Sequence, residues 1–183
     1  MSDPIRFVPI DVELRNGRWV RVREMRLADR EEIRQAFGRL SSESRYTRFM
    51  AAVRDLTPRM LDYAVGSPGA RELSLVAEID APDGIDIVGG ARYYVQADGQ
   101  SCEFAATVVD EWQGTGLASR LLRELIQGAR ARGLRRMEGF VLAGNWRMLR
   151  LAERLCFSVD TDPDDATVKI VRLDLTTGSS KNE

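Results

Sequence analysis

The chain has 183 residues, 44% hydrophobic and 30% charged, the proportions of one globular domain with a sizeable core. Its 27 basic and 28 acidic residues give a formal net charge of −1, which argues against bulk attraction to nucleic acid or to an anionic membrane. Histidine is absent, which removes Ser-His and Cys-His catalysis and histidine-ligated zinc; no metal is expected, and acid–base work falls to carboxylates, tyrosine, lysine, cysteine or water.

No apolar run is long enough to span a bilayer, and the start Met-Ser-Asp-Pro-Ile-Arg-Phe lacks a signal-peptide core, so a cytoplasmic location is expected. Val12-Glu13-Leu14 and Trp19-Val20-Arg21-Val22-Arg23 flank Asn16-Gly17, the strongest short hairpin signal. Asp29 is placed to cap a helix carrying Ile33, Ala36, Phe37 and Leu40. Ser41-Ser42-Glu43-Ser44 opens a second helical segment, and Thr57-Pro58 a third. Residues 73–79, 85–95 and 101–109 then alternate as strands joined by tight Asp/Gly turns, an antiparallel meander. Leu117, Leu121, Leu122, Leu125 and Ala129 recur at helical spacing, and Gly133 stops that helix. A strand over 136–142 makes a parallel crossover with the strand before the helix. A further helix starts near Asn145, and strands around Phe157 and over 168–175 close the domain. One domain over residues 1–175 and a disordered tail over 176–183 are expected. Cys102 and Cys156 sit in apolar surroundings, too far apart for a disulfide framework, and read as small buried hydrophobes.

The informative stretch is Val108-Val109-Asp110-Glu111-Trp112-Gln113-Gly114-Thr115-Gly116-Leu117-Ala118-Ser119. A glycine-containing turn feeds the start of an amphipathic helix, where free backbone N–H groups and the positive end of the helix dipole suit a phosphate. A dinucleotide site, with Glu138 at about the ribose-binding spacing, is disfavoured because Ser119 holds the third glycine position and the strands before it form a meander. A Walker loop is excluded by the missing Gly-Lys-Ser/Thr.

Gln113-Gly114-Thr115-Gly116-Leu117-Ala118 resembles the Q/R-x-x-G-x-G/A signature of GNAT acetyltransferases, in the expected place between the family's fourth strand and its helix. The segment from Asn145 to Phe157 is similar to the family's second motif, with Cys156 where the motif has glycine; the likeness runs from about Arg18 to Leu175. Leu40-Ser41-Ser42-Glu43-Ser44-Arg45-Tyr46-Thr47-Arg48-Phe49, Ala91-Arg92-Tyr93, Glu103-Phe104-Ala105 and Asp110-Glu111-Trp112-Gln113-Gly114 further resemble the acetyltransferase domain of bacterial protein lysine acetyltransferases that act on acetyl-CoA synthetase.

The resemblance implies a mixed α/β fold whose central, mostly antiparallel twisted sheet splays between its fourth and fifth strands and is flanked by helices. It implies acetyl-CoA as co-substrate, with the pantetheine arm on the backbone near Val108 and Val109 and the pyrophosphate on Gln113, Gly114, Thr115, Gly116, Leu117, Ala118 and Ser119. Asn145 would touch the cofactor arm as well as cap its helix. The amine would attack the thioester directly. An amine of pKa near 10.4 is neutral about once in 2,500 at pH 7, a cost of about 4.6 kcal/mol, so a base is useful. Glu103, among the small Ala105, Ala106 and Thr107, is the candidate, with its pKa raised by burial. Ala152 occupies the position of the tyrosine that protonates the leaving thiolate in many relatives. Tyr46, Tyr93 and Tyr94 read first as packing residues, with a place near the acceptor site as the alternative. Arg130, Arg132, Arg135 and Arg136 read first as a solvated face, with contact to the cofactor's 3′-phosphate or an acidic protein surface as the alternative. Trp112 reads as a packing anchor, with stacking near the loop as the alternative. A protein lysine, on an acyl-CoA synthetase, is the preferred acceptor. Acetylation of a small amine and a non-catalytic acyl-CoA-binding module stay open beside it.

Overall fold

Asn16-Gly17 closes the first hairpin. Gly17 takes φ +77°, Leu14 N–H donates to Arg18 O at 2.8 Å, and β1 (Ile10–Glu13) pairs antiparallel with β2 (Trp19–Glu24), Val12 opposite Val20. The computed structural model describes residues 6–66 and 71–177, so the expected disordered tail lies, beyond Thr177, outside the described residues.

Three helices follow: α1 (Arg30–Gly38), α2 (Ser42–Phe49) and α3 (Pro58–Ala64). The last two open where the sequence predicts, and there Ser41 Oγ accepts from Ser44 N–H and Thr57 Oγ1 from Met60 N–H as caps. The meander comprises β3 (Glu72–Ala81), β4 (Gly84–Val95) and β5 (Ser101–Val108). Then come α4 (Leu117–Ala131), β6 (Arg136–Leu142), α5 (Trp146–Arg154), β7 (Ser158–Thr161) and β8 (Val168–Asp174). The eight strands form one sheet in the order β1-β2-β3-β4-β5-β6-β8-β7, antiparallel throughout except for β5 against β6. The strands expected fourth and fifth are β5 and β6, because the hairpin contributes two strands.

Strand alternation sorts the core into two layers. Leu73, Leu75, Ala77 and Tyr93 are buried with Leu121, Leu122 and Leu125 of α4. Val76 and Ile87 are buried apart from that cluster, on the face to which α1 is tied by the Arg39 guanidinium on Ile87 O. No helix among the described residues is long and apolar enough to cross a membrane.

Two expectations need correction. Asp29 precedes α1, but its carboxylate does not cap that helix. It accepts from Arg26 N–H at 2.7 Å and takes both ends of the Arg23 guanidinium at 2.8 and 2.9 Å, while Arg23 Nε donates to Glu78 at 2.6 Å. Arg23 is 3% and Asp29 4% exposed, so this triad joins β2, β3 and the start of α1 in the dry interior. Cys102 is buried as expected, which pushes its thiol up to about 12. Cys156 is exposed, because it is the residue after α5 that takes the left-handed conformation, φ +68°, usual for glycine.

Asp29→Ala leaves the Arg23 charge buried with one carboxylate partner fewer, and urea unfolding is expected to register a loss of about 3–5 kcal/mol. Cys156→Gly relieves a left-handed non-glycine residue at an exposed site, and the same measurement is expected to register a gain of about 1 kcal/mol.

Candidate active site

The parallel pair β5–β6 is short. Ser101, Cys102 and Glu103 face Arg136, Met137 and Glu138, and there the pairing ends, although β5 continues to Val108 and β6 to Leu142. Each strand stays paired on its other side, β5 with β4 as far as Val108 and β6 with β8 as far as Leu142. Where the next contact would form, the Phe104 ring fills the place of a side chain at Gly139: a Cβ there would lie 2.6 Å from the ring. Phe157 backs the ring at a centroid distance of 5.3 Å. The edge of β5 from Phe104 to Val108 therefore borders a gap. Gln113 Nε2 donates to Val108 O at 3.2 Å from within it. Both backbone groups of Val109 are engaged inside the chain, its N–H on Val88 O at 3.0 Å and its C=O by Trp112 N–H at 2.8 Å.

Beyond β5 the chain makes a short turn at Asp110–Trp112 and enters the glycine loop. Trp112 is buried as expected, and Thr115 Oγ1 donates to Trp112 O at 2.6 Å, which pins the loop to that anchor. Gly114 and Gly116 take φ +76° and +93°, left-handed values that glycine adopts without strain. No side chain caps α4, and the backbone N–H groups of Gly114, Thr115, Gly116, Leu117, Ala118 and Ser119 make no hydrogen bond among the described residues. These free donors and the positive end of a 15-residue helix converge on the turn. A Cβ at Gly114 would meet nothing within 4 Å.

Across the gap, Asn145 caps α5, its Oδ1 accepting from Met148 N–H at 3.2 Å; Nδ2 makes no hydrogen bond among the described residues. Ala152 is fully buried, so α5 presents no acid at that position.

Glu103 stands at the last paired position, where the strands part, opposite Tyr94 of β4 and Glu138 of β6. Its side chain is exposed and makes no ion pair or hydrogen bond among the described residues. Its carboxyl is held above the ordinary value, first by desolvation against the surrounding walls and then by Glu138, with Arg48 opposing. Glu138 is itself tied to Gln96 Nε2 at 2.8 Å and lies 3.5 Å from Arg172 Nε. Half-buried Arg48 has no carboxylate partner among the described residues, and desolvation and nearby Arg92 lower its pKa. Sequence reasoning missed this Glu103–Glu138 pairing, since only the strand register brings them side by side.

Two of the packing expectations fail here. Tyr93 is fully buried, but Tyr46 and Tyr94 are exposed, the latter beside Glu103. The basic run is also not simply solvated. Arg130 Nε donates to Leu175 O at 3.3 Å, Arg136 to Ser101 Oγ at 3.2 Å, and Arg132 to Glu72 O. It sits about 20 Å from the glycine loop, the length of α4. A cavity of about 360 Å³ lined by Arg135, Arg136 and Arg172 lies at that far end too and includes neither Glu103 nor Asn145 nor any residue of the glycine loop.

A splayed sheet, an uncapped helix behind a glycine turn and a carboxylate at the parting point coincide with a family pattern: residues 31–157 match the model of the acetyltransferase (GNAT) family. The chain belongs to that family and is an acetyltransferase. It is similar to the acetyltransferase PA5475 of Pseudomonas aeruginosa, 36% identical over 88% of this chain and 87% of the relative. It is 31% identical to the acetyltransferase Pat of Mycolicibacterium smegmatis over 80% of this chain but only 44% of that longer protein. Among solved structures, the GNAT domain of S. lividans PAT superposes with a TM-score of 0.83 at 27% identity, covering 91% of this chain and 96% of the domain. The yncA acetyltransferase of Salmonella typhimurium, solved with its cofactor acetyl-CoA, shares the fold at a TM-score of 0.63 and 21% identity, over 88% of this chain and 96% of yncA.

Because Phe104 is buried and backed by Phe157, Gly139→Ala forces the ring out of place and is expected to lower stability by about 1–3 kcal/mol in urea unfolding. Gly144→Ala, where a Cβ meets nothing within 4 Å, is the matched control and is expected to change little.

Proposed function

We propose that this acetyltransferase moves the acetyl group of acetyl-CoA to a primary amine, a protein lysine, with Glu103 as general base. The observation that carries the reading is an unpaired, pKa-raised carboxylate standing where β5 and β6 part. The rest of the site fits the donor. Six free N–H groups over residues 114–119 suit the pyrophosphate, and the open space at Gly114 lets it approach the backbone. The edge of β5 from Phe104 to Val108, which has no strand partner on the β6 side, suits the amide-bearing pantetheine arm, with Val108 O already accepting from Gln113 Nε2. Asn145 Nδ2 is a donor on the opposite wall. Acetyl-CoA supplies a thioester already activated toward amines.

Glu103 then accepts the proton that the ammonium must lose, directly or through one water. Its raised pKa brings it closer to the operating pH. Glu138 is held by Gln96 and Arg172, so the two carboxylates differ in their surroundings, and Glu103 is the one with no hydrogen-bond or ion-pair partner among the described residues. No tyrosine replaces Ala152, so the leaving thiolate takes its proton from solvent, as a thiol titrating near about 8.5 readily does. An open approach supports a protein acceptor: Glu103, Tyr63 and Tyr94 are all exposed. An acyl-CoA synthetase is the acceptor class that the family likeness suggests.

The test is CoA release from acetyl-CoA with a purified acyl-CoA synthetase, wild type against Glu103→Gln. A fall of at least about tenfold is expected. The base must be ionised, so wild-type kcat/KM should drop as pH falls through the raised Glu103 pKa, and the variant should lack that limb. Release that the substitution leaves unchanged removes Glu103 from the role; release only with small amines removes the protein acceptor.

A further inference from the structure

The glycine loop offers a pyrophosphate neutral N–H donors but no cation of its own. The first signature position, where the family pattern admits arginine, is Gln113, and its side chain is committed to Ser44 Oγ at 3.1 Å and Val108 O at 3.2 Å. Arg120, one turn into α4, is paired with Glu124 at 2.9 Å. Two negative charges held over residues 114–119 would thus lack a counter-charge from the loop or from the first turn of α4.

The N-terminal hairpin brings one. Its turn is tied to the loop by Arg15 N–H on Thr115 O at 3.2 Å, and by the Arg18 guanidinium stacked 4.3 Å from the Trp112 ring centroid. Buried Leu14 anchors the same turn in the core. The Arg15 side chain lies along Gly116: a Cβ at Gly116 would sit 3.4 Å from Arg15 Nε and 3.6 and 3.7 Å from Cγ and Cδ. Other hairpin arginines are spent, Arg21 on Asp11 and Arg23 on Asp29 and Glu78. Arg15 is exposed and its side chain makes no ion pair or hydrogen bond among the described residues.

We propose that Arg15 is a cofactor-binding residue, its guanidinium pairing with the pyrophosphate of acetyl-CoA seated over residues 114–119. This rests on the donor site proposed above. A guanidinium matches two phosphate oxygens at once, and that planar fit is lost with lysine. Arg15 therefore completes the signature from a part of the chain about 100 residues away.

The experiment is calorimetric binding to the whole chain, wild type, Arg15→Ala and Arg15→Lys, with acetyl-CoA, 3′-dephospho-acetyl-CoA and S-acetylpantetheine, which has no pyrophosphate. Arg15→Ala is expected to weaken both nucleotide ligands about tenfold, Arg15→Lys less, and S-acetylpantetheine not at all. Unchanged acetyl-CoA affinity overturns the inference. Equal weakening of all three ligands also overturns it, because Arg15 would then only hold the loop in shape. A loss confined to acetyl-CoA moves the contact to the 3′-phosphate and rejects the pyrophosphate pairing. Gly116→Val separates this from failure of the site itself: if that variant binds acetyl-CoA normally, the loop reading falls and takes the inference with it.

Discussion

The site depends on one close approach, the Phe104 ring lying where Gly139 has no side chain. It occurs at the first residue pair after the β5–β6 ladder stops. Both strands keep full ladders on their outer sides, so the sheet does not fray when they separate; it divides into two well-paired halves. What is left between them is a length of strand edge whose N–H and C=O groups have no strand partner on that side. Leaving such groups unpaired away from water is costly, and a ligand that carries amides is the natural complement.

With histidine absent, the surroundings of the carboxylates at the parting strands matter more. Glu103 and Glu138 sit side by side but are treated differently by their surroundings, one free and one tied down by Gln96 and Arg172. Arg48 and Arg92 sit on the same side of the sheet as Glu103 and keep the local field from becoming wholly negative. The raised Glu103 pKa follows from desolvation first and the neighbouring carboxylate second, so it belongs to the groove as a whole.

Much of this was legible in the sequence because it rests on local chemistry. Asn16-Gly17 announced its hairpin, the leucine stripe of α4 its helix, the loop its glycines, and Asn145 its cap. The parallel β5–β6 pair followed from the crossover between them. What was hidden depends on long-range register. The local rule that makes aspartate a cap competes with burial beside an arginine, and at Asp29 the ion triad wins. Cys156 looks buried by its neighbours, yet the turn that ends α5 carries it outward. Tyr93 and Tyr94 are adjacent and read alike, but alternation sends one into the core and the other to the groove. Arg15 carried no signal at all, since its partner loop lies about 100 residues on.

The bonds around Gln113 have a mechanical meaning. Its amide reaches Ser44 of α2, and Asp110 accepts from Ser41 N–H at 3.1 Å, so the first turn of α2 is fastened to the same loop that begins α4. The first turn of α2 and the glycine loop are therefore two ends of one strut, with Ser41 and Ser44 as its rivets. A shift at either end must be shared by the other or break those bonds, which makes the spacing between the proposed acceptor side and the proposed donor loop a property of the scaffold.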